Sequence, residues 1–257
     1  MTFATTHENF LCRRRWRSGL LATAVLLLVA GCGGQGSHPH QAQPSTHSAS
    51  PVASAQQLLS SALAAATAKQ WVHMDVQTLA SGHQIAFSDD DGPNTGIQRI
   101  TIRGGGAGTV RVLGHDTYMK ADATALGGYF GLPADAARRG ANRWLLLVPG
   151  DSGYTDVTRG VSIGSALQEV TVTSPLRLLP SQTRDGQTVV GVSGGAGPDA
   201  PPGATATLWI DPRAGLPVEY VAAASSGDSI TSRMSRWGVP VTVPRPSTAT
   251  SIRQFGG

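Results

Sequence analysis

The chain has 257 residues, with 20 Lys and Arg against 16 Asp and Glu and a formal net charge of +4. Charged residues make up only 14% of the sequence, whereas glycine (32 residues) and proline (16) are frequent. This composition is typical of strands and turns rather than of long charged helices. The basic residues form no patch that would indicate nucleic-acid binding, and the length suffices for one domain with a sizeable core.

The N-terminal segment predicts export. Four arginines between positions 13 and 17 precede an apolar run, which ends in small residues just before a cysteine. These are the parts of a secretory signal peptide, here 1–31, and the apolar run is too short for a comfortable membrane span. The arginine pair lacks the full twin-arginine context, so we favour the general secretory route.

The end of this run, Val29-Ala30-Gly31-Cys32, resembles the lipobox of bacterial lipoproteins. The resemblance implies that the sulfur of Cys32 receives a diacylglyceryl group and that cleavage leaves Cys32 as the acylated N-terminus. Several acyl chains on one residue hold a protein stably at a membrane, so we expect an anchor on the extracytoplasmic face of the cell membrane. The alternative is an ordinary signal peptide with a coincidental cysteine.

Removal of the signal changes the charge and the cysteine count. The signal contains four of the 20 basic and one of the 16 acidic residues, so 16 against 15 remain, a net charge of +1. The sequence pI of about 9.5 therefore describes the signal more than the mature protein. Cys12 leaves with the signal and Cys32 is acylated, so we expect no disulfide.

Residues 32–53 predict a flexible tether, because Gly, Ser, Gln, His, Pro and Ala follow one another there without apolar periodicity. The histidines of this segment, His38, His40 and His47, could be interpreted as a metal-binding tail. They have no cysteine or carboxylate cluster beside them, so we expect no metal and no cofactor.

The folded part begins with a predicted helix. Ser54 and Gln57 fit a capping box, and apolar residues recur behind them at helical spacing as far as Ala66. From Trp71 onward the apolar period drops to two, which predicts antiparallel strands that bury one face.

The middle of the chain is mixed and the last third returns to strands. Short helices are indicated after Asp122, at 135–141 and after Ser162, where the serine fits an N-cap. Asp185-Gly186 is a strong hairpin signal. The pattern predicts one domain of about 10–11 strands with a few helices between them.

Serine motifs do not indicate an enzyme. Gly-x-Ser-x-Gly occurs around Ser162 and Ser193, but the last histidine, His115, precedes both, which is the wrong chain order for an α/β-hydrolase. The tetrapeptide GDSG at 150–153 resembles the motif of trypsin-like proteases, but Tyr154 stands where that motif continues with glycine.

Two further motifs are better interpreted as turns. Residues 89–94 look like a calcium loop, but Ile100 occupies the position at which an EF-hand needs glutamate. The glycine run at 104–108 could cradle phosphate, but a strand follows it instead of a helix N-terminus.

The order of elements resembles the LppX/LprG-type lipoproteins of actinobacteria, which are related in fold to the LolA/LolB carriers. Beside the lipobox and the first helix, the resemblance rests on 110–120 (VRVLGHDTYMK), 129–133 (YFGLP), 143–144 (RW), 183–190 (TRDGQTVV), 206–211 (ATLWID), 215–218 (GLPV) and 237–244 (WGVPVTVP). It implies an α+β fold at 54–246: a strongly curved antiparallel half-barrel with helices across its concave side. Residues 247–257 would then be a C-terminal tail.

The resemblance also implies an apolar cavity that holds acyl chains, so that the protein carries a lipid or glycolipid across the envelope without catalysing a reaction. Each sequestered CH₂ contributes about 0.8 kcal/mol. Entry would need the segment around 122–130 to move. The residues expected to line the cavity are Val72, Met74, Val76, Ile85, Phe87, Ile100, Ile102, Val110, Val112, Tyr118, Leu126 and Phe130.

The same apolar residues could instead form a solid core. The chain would then be an accessory or structural envelope lipoprotein of the same fold, which acts through a protein partner. The partners expected are lipid acyl chains and the plasma membrane, with an envelope transport protein as a further candidate, but not nucleic acid.

Overall fold

The computed structural model describes residues 51–197, 200 and 203–255, with side chains from residue 54 onward. Cys32, the predicted signal peptide and almost all of the predicted tether lie outside the described residues, so they remain predictions.

Five α-helices lie within the described residues. They are α1 (Pro51–Lys69), α2 (Ala123–Gly128), α3 (Ala134–Gly140), α4 (Tyr154–Thr158) and α5 (Ile163–Glu169). Helix α1 begins three residues before the predicted start at Ser54. Asp122 caps α2 and Ser162 caps α5, as predicted, whereas α4 was not predicted.

Thirteen strands alternate with these helices in the described part of the chain. They are β1 (Val72–Ala80), β2 (His83–Asp91), β3 (Thr95–Ile102), β4 (Gly106–Leu113), β5 (Asp116–Ala121), β6 (Leu145–Leu147), β7 (Val172–Leu178), β8 (Gln182–Arg184), β9 (Gln187–Ala196), β10 (Thr205–Asp211), β11 (Leu216–Ala223), β12 (Ser229–Ser235) and β13 (Thr250–Ser251). The predicted hairpin joins β8 to β9, and Asp185 and Gly186 both have positive φ, as a two-residue hairpin turn requires.

The strands form one open sheet in the order β13-β6-β5-β4-β3-β2-β1-β12-β11-β10-β9-β7, with β8 on β9. Each pair is antiparallel except β13 with β6. The sheet is therefore not closed on itself, and together with the helices it confirms the predicted α+β half-barrel. The strand count exceeds the prediction because the short strands β8 and β13 have no apolar alternation of their own.

Helices lie over the two ends of the sheet's concave face. Helix α1 packs on β7, β9 and β11 and on α5, whereas α2 and α4 pack on β4 and β5. The periodicity of α1 explains its contacts, because Ala55, Leu59, Ala62 and Ala66 are all buried against the sheet. No described helix has both the length and the apolar character needed to cross a bilayer.

The predicted C-terminal tail is wrong for most of its length. Thr250 and Ser251 form β13 on β6, and a 3-10 helix follows at Ile252–Phe255. Ile252 and Phe255 are buried in a cluster with α2, α3, β5 and β6. Local sequence does not predict this packing, because two apolar residues three positions apart are too few to indicate an element.

Phe255 tests this packing. We expect Phe255→Ala to lower the free energy of unfolding by about 3 kcal/mol, since a buried aromatic ring is lost. The exposed neighbour offers a control, because Gln254→Ala should change stability by less than about 0.5 kcal/mol. Urea denaturation measures both. Equal stability of the two variants would contradict the packing of Phe255 and favour the predicted C-terminal tail.

Candidate functional site

Four rows of side chains build the concave face over β2–β5. Residues directly opposite in neighbouring antiparallel strands project to the same side of a sheet, so the strand register defines the rows. The rows are Asp91, Gly96, Val112 and Thr117; Asp89, Gln98, Val110 and Met119; Phe87, Ile100, Gly108 and Ala121; and Ile85, Ile102 and Gly106.

An apolar cluster lies at the centre of this face. We call it the central cluster, and it consists of the buried residues Ile85, Ile100, Val110, Val112 and Val161. Strands β2–β4 supply the first four, and Val161 comes from the loop between α4 and α5. The central cluster therefore lies between the helices at the two ends of the sheet.

Three aromatic side chains, Phe87, Tyr129 and Phe130, cover the central cluster, and we call them the aromatic rim. The ring centroids of Phe87 and Tyr129 are 6.5 Å apart, and those of Tyr129 and Phe130 are 5.0 Å apart in an edge-to-face arrangement. All three remain partly exposed. The rim thus keeps apolar surface in contact with solvent.

Asp122 positions this rim. Its carboxylate accepts hydrogen bonds from the backbone N–H of Ala125 (2.8 Å) and of Ala107 (2.7 Å), which ties the start of α2 to β4. Phe130 then lies over Gly108, where an added Cβ would be 3.3 Å from its ring. A larger residue at 108 would press directly on the rim.

The structure divides the predicted cavity residues among three clusters. Ile85, Ile100, Val110 and Val112 meet in the central cluster, with Phe87, Ile102 and Phe130 packed against it. Val72, Met74 and Val76 lie beneath α1 and α5, and Leu126 lies with α3 and β6. That these residues line one acyl-chain cavity remains a prediction.

Tyr118 does not lie with the other predicted residues. It is opposite Arg111 on the convex face, and its hydroxyl bonds with Asp116 and Arg245. Its neighbours Thr117 and Met119 project to the concave face instead. The sequence Thr-Tyr-Met contains two large apolar side chains in succession, and alternation alone selected the wrong one.

Two aspartates project into the concave face. Asp89 is 4% exposed and Asp91 is 0% exposed. Gln98 donates to Asp89 at 3.4 Å, but Asp89 Oδ1 and both carboxyl oxygens of Asp91 have no hydrogen-bond partner among the described residues.

Burial raises the pKa of both carboxyls well above the ordinary value, and neighbouring negative charges raise it further. For Asp91, these charges belong to Asp89, Glu169 and Asp90. Sequence analysis assigned 89–94 to a turn and missed both residues. A signal was present, because Asp89 and Asp91 continue the inward alternation of Ile85 and Phe87.

Asp90, between them, projects to the convex face and is well partnered. Arg236 donates to Asp90 Oδ1 at 2.7 Å, and His73 Nδ1 lies 2.8 Å from the same oxygen. Arg99 is 3.7 Å from Asp90 Oδ2. The side chains that pair with Asp90 therefore lie on the side of the sheet opposite to Asp89 and Asp91.

A groove of about 330 Å³ opens beside the central cluster. Val112 and Val161 reach it from the cluster, and polar residues of α4 and the α5 N-terminus, such as Tyr154 and Ser162, complete it. A second groove of about 370 Å³ involves Arg111 and Trp144, whose guanidinium carbon and ring centroid are 4.4 Å apart.

Ser162 and Ser193, the serines of the two Gly-x-Ser-x-Gly motifs, lie in a helix cap and in a strand. Ser162 Oγ accepts from Ser165 N to cap α5, and it lies 2.9 Å from Ser165 Oγ. Ser193 lies within β9. Within the described residues, no three His, Cys, Asp or Glu side chains are placed to hold a metal ion.

Asp91 and Asp90 lie on opposite faces of β2, and we expect their substitution to change the pH dependence of the free energy of unfolding in different ways. A buried acid with a raised pKa is most stabilising to the fold at low pH, and stability falls as pH rises from about 3.9 towards the folded-state pKa. We therefore expect Asp91→Asn to gain stability relative to the parent as pH rises from 4 to 7.

The matched control is Asp90→Asn, which should lose stability at pH 7 because it removes the charge that Arg236 and Arg99 face. Urea denaturation at pH 4, 5.5 and 7 measures both variants. Equal destabilisation of both at pH 7 would contradict the inward, unpartnered position of Asp91.

No protein-family model and no curated protein matches the chain. Among solved structures, it is similar to LprF from Mycobacterium bovis, with 19% identity over 78% of this chain and 100% of that chain and a TM-score of 0.53. The Pseudomonas aeruginosa MucA/MucB complex (15% identity, 70% and 55% covered, TM-score 0.34) and a LolA superfamily protein from Nitrosomonas europaea (13%, 70% and 91%, TM-score 0.28) are too distant to support an argument. The likeness to LprF concerns the fold alone, and it agrees with the predicted α+β half-barrel.

Proposed function

We propose that this chain is a membrane-anchored lipoprotein that binds the acyl chains of a lipid or glycolipid at its concave face and carries that lipid across the cell envelope. It would act as a carrier without catalysing a reaction. The observation that carries the proposal is the central cluster under its aromatic rim. This apolar surface is covered mainly by single side chains rather than by a helix.

The physical basis is the transfer of acyl chains from water to this surface. Each sequestered CH₂ contributes about 0.8 kcal/mol, so a long chain binds without specific hydrogen bonds. The rim residues Phe87 and Phe130 remain partly exposed, so a bound chain covers apolar surface that is otherwise wet. Movement of 122–130, held to β4 through Asp122, would admit the chain.

Anchoring is the first part to test. We expect the full-length chain, expressed in a bacterial host that processes lipoproteins, to be in the membrane fraction with a diacylglyceryl-modified Cys32. Cys32→Ser should move it to the soluble fraction, since the acyl chains supply the membrane affinity. Fractionation and intact mass measure this. An unmodified Cys32 in a cleaved, soluble protein would indicate an ordinary signal peptide.

Cargo binding needs the mature chain with Cys32→Ser, purified from a lipid-rich, related host. Native mass spectrometry before and after solvent extraction should show a stoichiometric diacyl or triacyl species. We expect Ile102→Trp to lose most of this species, because the indole projects into the space beside the central cluster. Thr101→Trp, on the same strand but on the opposite, exposed face, is the control and should retain it.

A clean apo mass for the parent protein would favour the accessory lipoprotein that acts through a protein partner. Loss of lipid from both tryptophan variants would mean that the acyl chains do not lie against the concave face.

A further inference from the structure

The buried carboxyls of Asp89 and Asp91 present three oxygens without hydrogen-bond partners to the concave face. Leaving a buried polar atom unpaired is costly, and native proteins keep such groups rarely. Well-packed apolar side chains at these two positions would avoid that cost. The oxygens therefore point to a ligand that pairs with them in another state of the protein.

The charges around these carboxyls define that ligand's chemistry. Glu169 of α5, Asp75 of β1 and Asp90 each disfavour ionisation of Asp89, and Gln98 is a neutral donor. Within the described residues, neither Asp89 nor Asp91 has an ion-pair partner, whereas Arg99 and Arg236 pair with Asp90 on the other face. A cationic ligand would therefore complement the carboxyl groups of Asp89 and Asp91.

Access to the two carboxyls lies next to the groove of about 330 Å³. Val161 separates them: this residue borders the groove, and its carbonyl oxygen lies close against Gly96, the residue opposite Asp91. The Ile163 N–H donates to Gly92 O at 3.0 Å and holds this loop in place. Displacing Val161 would join the groove to the carboxyls.

An acyl chain that followed the rows of the concave face would lie in line with Asp89 and Asp91. From the Asp91 row, the Val110, Ile100 and Ile102 rows follow along the strands towards the aromatic rim. The six residue steps from Asp91 to Ile85 span about 20 Å at the rise of a β-strand, which suits a long acyl chain.

We propose that Asp89 and Asp91 bind the protonated amine of an amphiphile whose acyl chains occupy the central cluster. An ammonium group has three N–H donors, which match the three unpartnered oxygens, and its charge complements the carboxylates. This inference rests on the proposed function, and it adds a cationic headgroup to the cargo.

The test uses the mature chain with Cys32→Ser and four probes below their micelle concentrations: dodecylamine, dodecanol, dodecanoate and ethylamine. Titration calorimetry at pH 7 should show dodecylamine binding at least about tenfold more tightly than dodecanol, as charge-assisted hydrogen bonds allow. Dodecanoate should bind most weakly of the three long-chain probes. Ethylamine should not bind measurably, since it has no acyl chain.

Asp91→Asn should remove most of the advantage of dodecylamine and leave dodecanol within about twofold of the parent. Asp90→Asn, on the convex face, should preserve the parent's order of affinities. The affinity for dodecylamine should rise with pH, because the ammonium pairs with the ionised forms of Asp89 and Asp91, whereas the affinity for dodecanol should not.

The outcomes separate this inference from the proposed function. Equal binding of dodecylamine and dodecanol would overturn the amine site and leave acyl-chain binding intact. Equal binding of ethylamine and dodecylamine would make a soluble amine the ligand and overturn the amphiphile. Failure of all three long-chain probes to bind would overturn the proposed function itself.

Discussion

The constraint on which the rest depends is that one open sheet has a single concave face, and the described helices pack mainly towards the two ends of that face. Helix α1 packs towards one end, and α2 and α4 pack towards the other. Between them, Val161 and the aromatic rim pack on the central cluster. Backbone hydrogen bonds, such as that from the Ile163 N–H to Gly92 O, and the Asp122 cap hold these covering groups in place.

In the acidic run on β2, the pleat of the strand places neighbouring aspartates in different electrostatic environments. Asp90 projects to the convex face, where Arg236 and His73 surround it. Asp89 and Asp91 project to the concave face and lose most of their hydration. The fold thus carries a stability cost at Asp89 and Asp91, whose unpaired oxygens are buried, and departures of this kind are expected at functional or strained sites.

The sequence was sufficient for the fold class and for most strands, because alternation and turn residues act locally. Asp122, Ser162 and Asp185 were correctly predicted at caps and a turn for the same reason. Tyr118 was placed on the wrong face because alternation alone does not choose between Tyr118 and Met119. Asp89 and Asp91 were assigned to a turn because acidic residues beside a glycine are typical of turns. The burial of Phe255 was not predicted, because it depends on the parallel pairing of β13 with β6, which no local sequence pattern indicates.

The packed state of the central cluster fits the proposed carrier between cargoes. An apolar cavity left empty there would lose packing contacts on every side, and in the structure Val161 and the aromatic rim pack on the cluster instead. In the proposed mechanism, the binding free energy would be the gain from the acyl chain minus the cost of displacing these groups. Because acyl chains pack without directional contacts, chain length would set affinity, and discrimination between lipids would depend on the inward polar groups of Asp89 and Asp91.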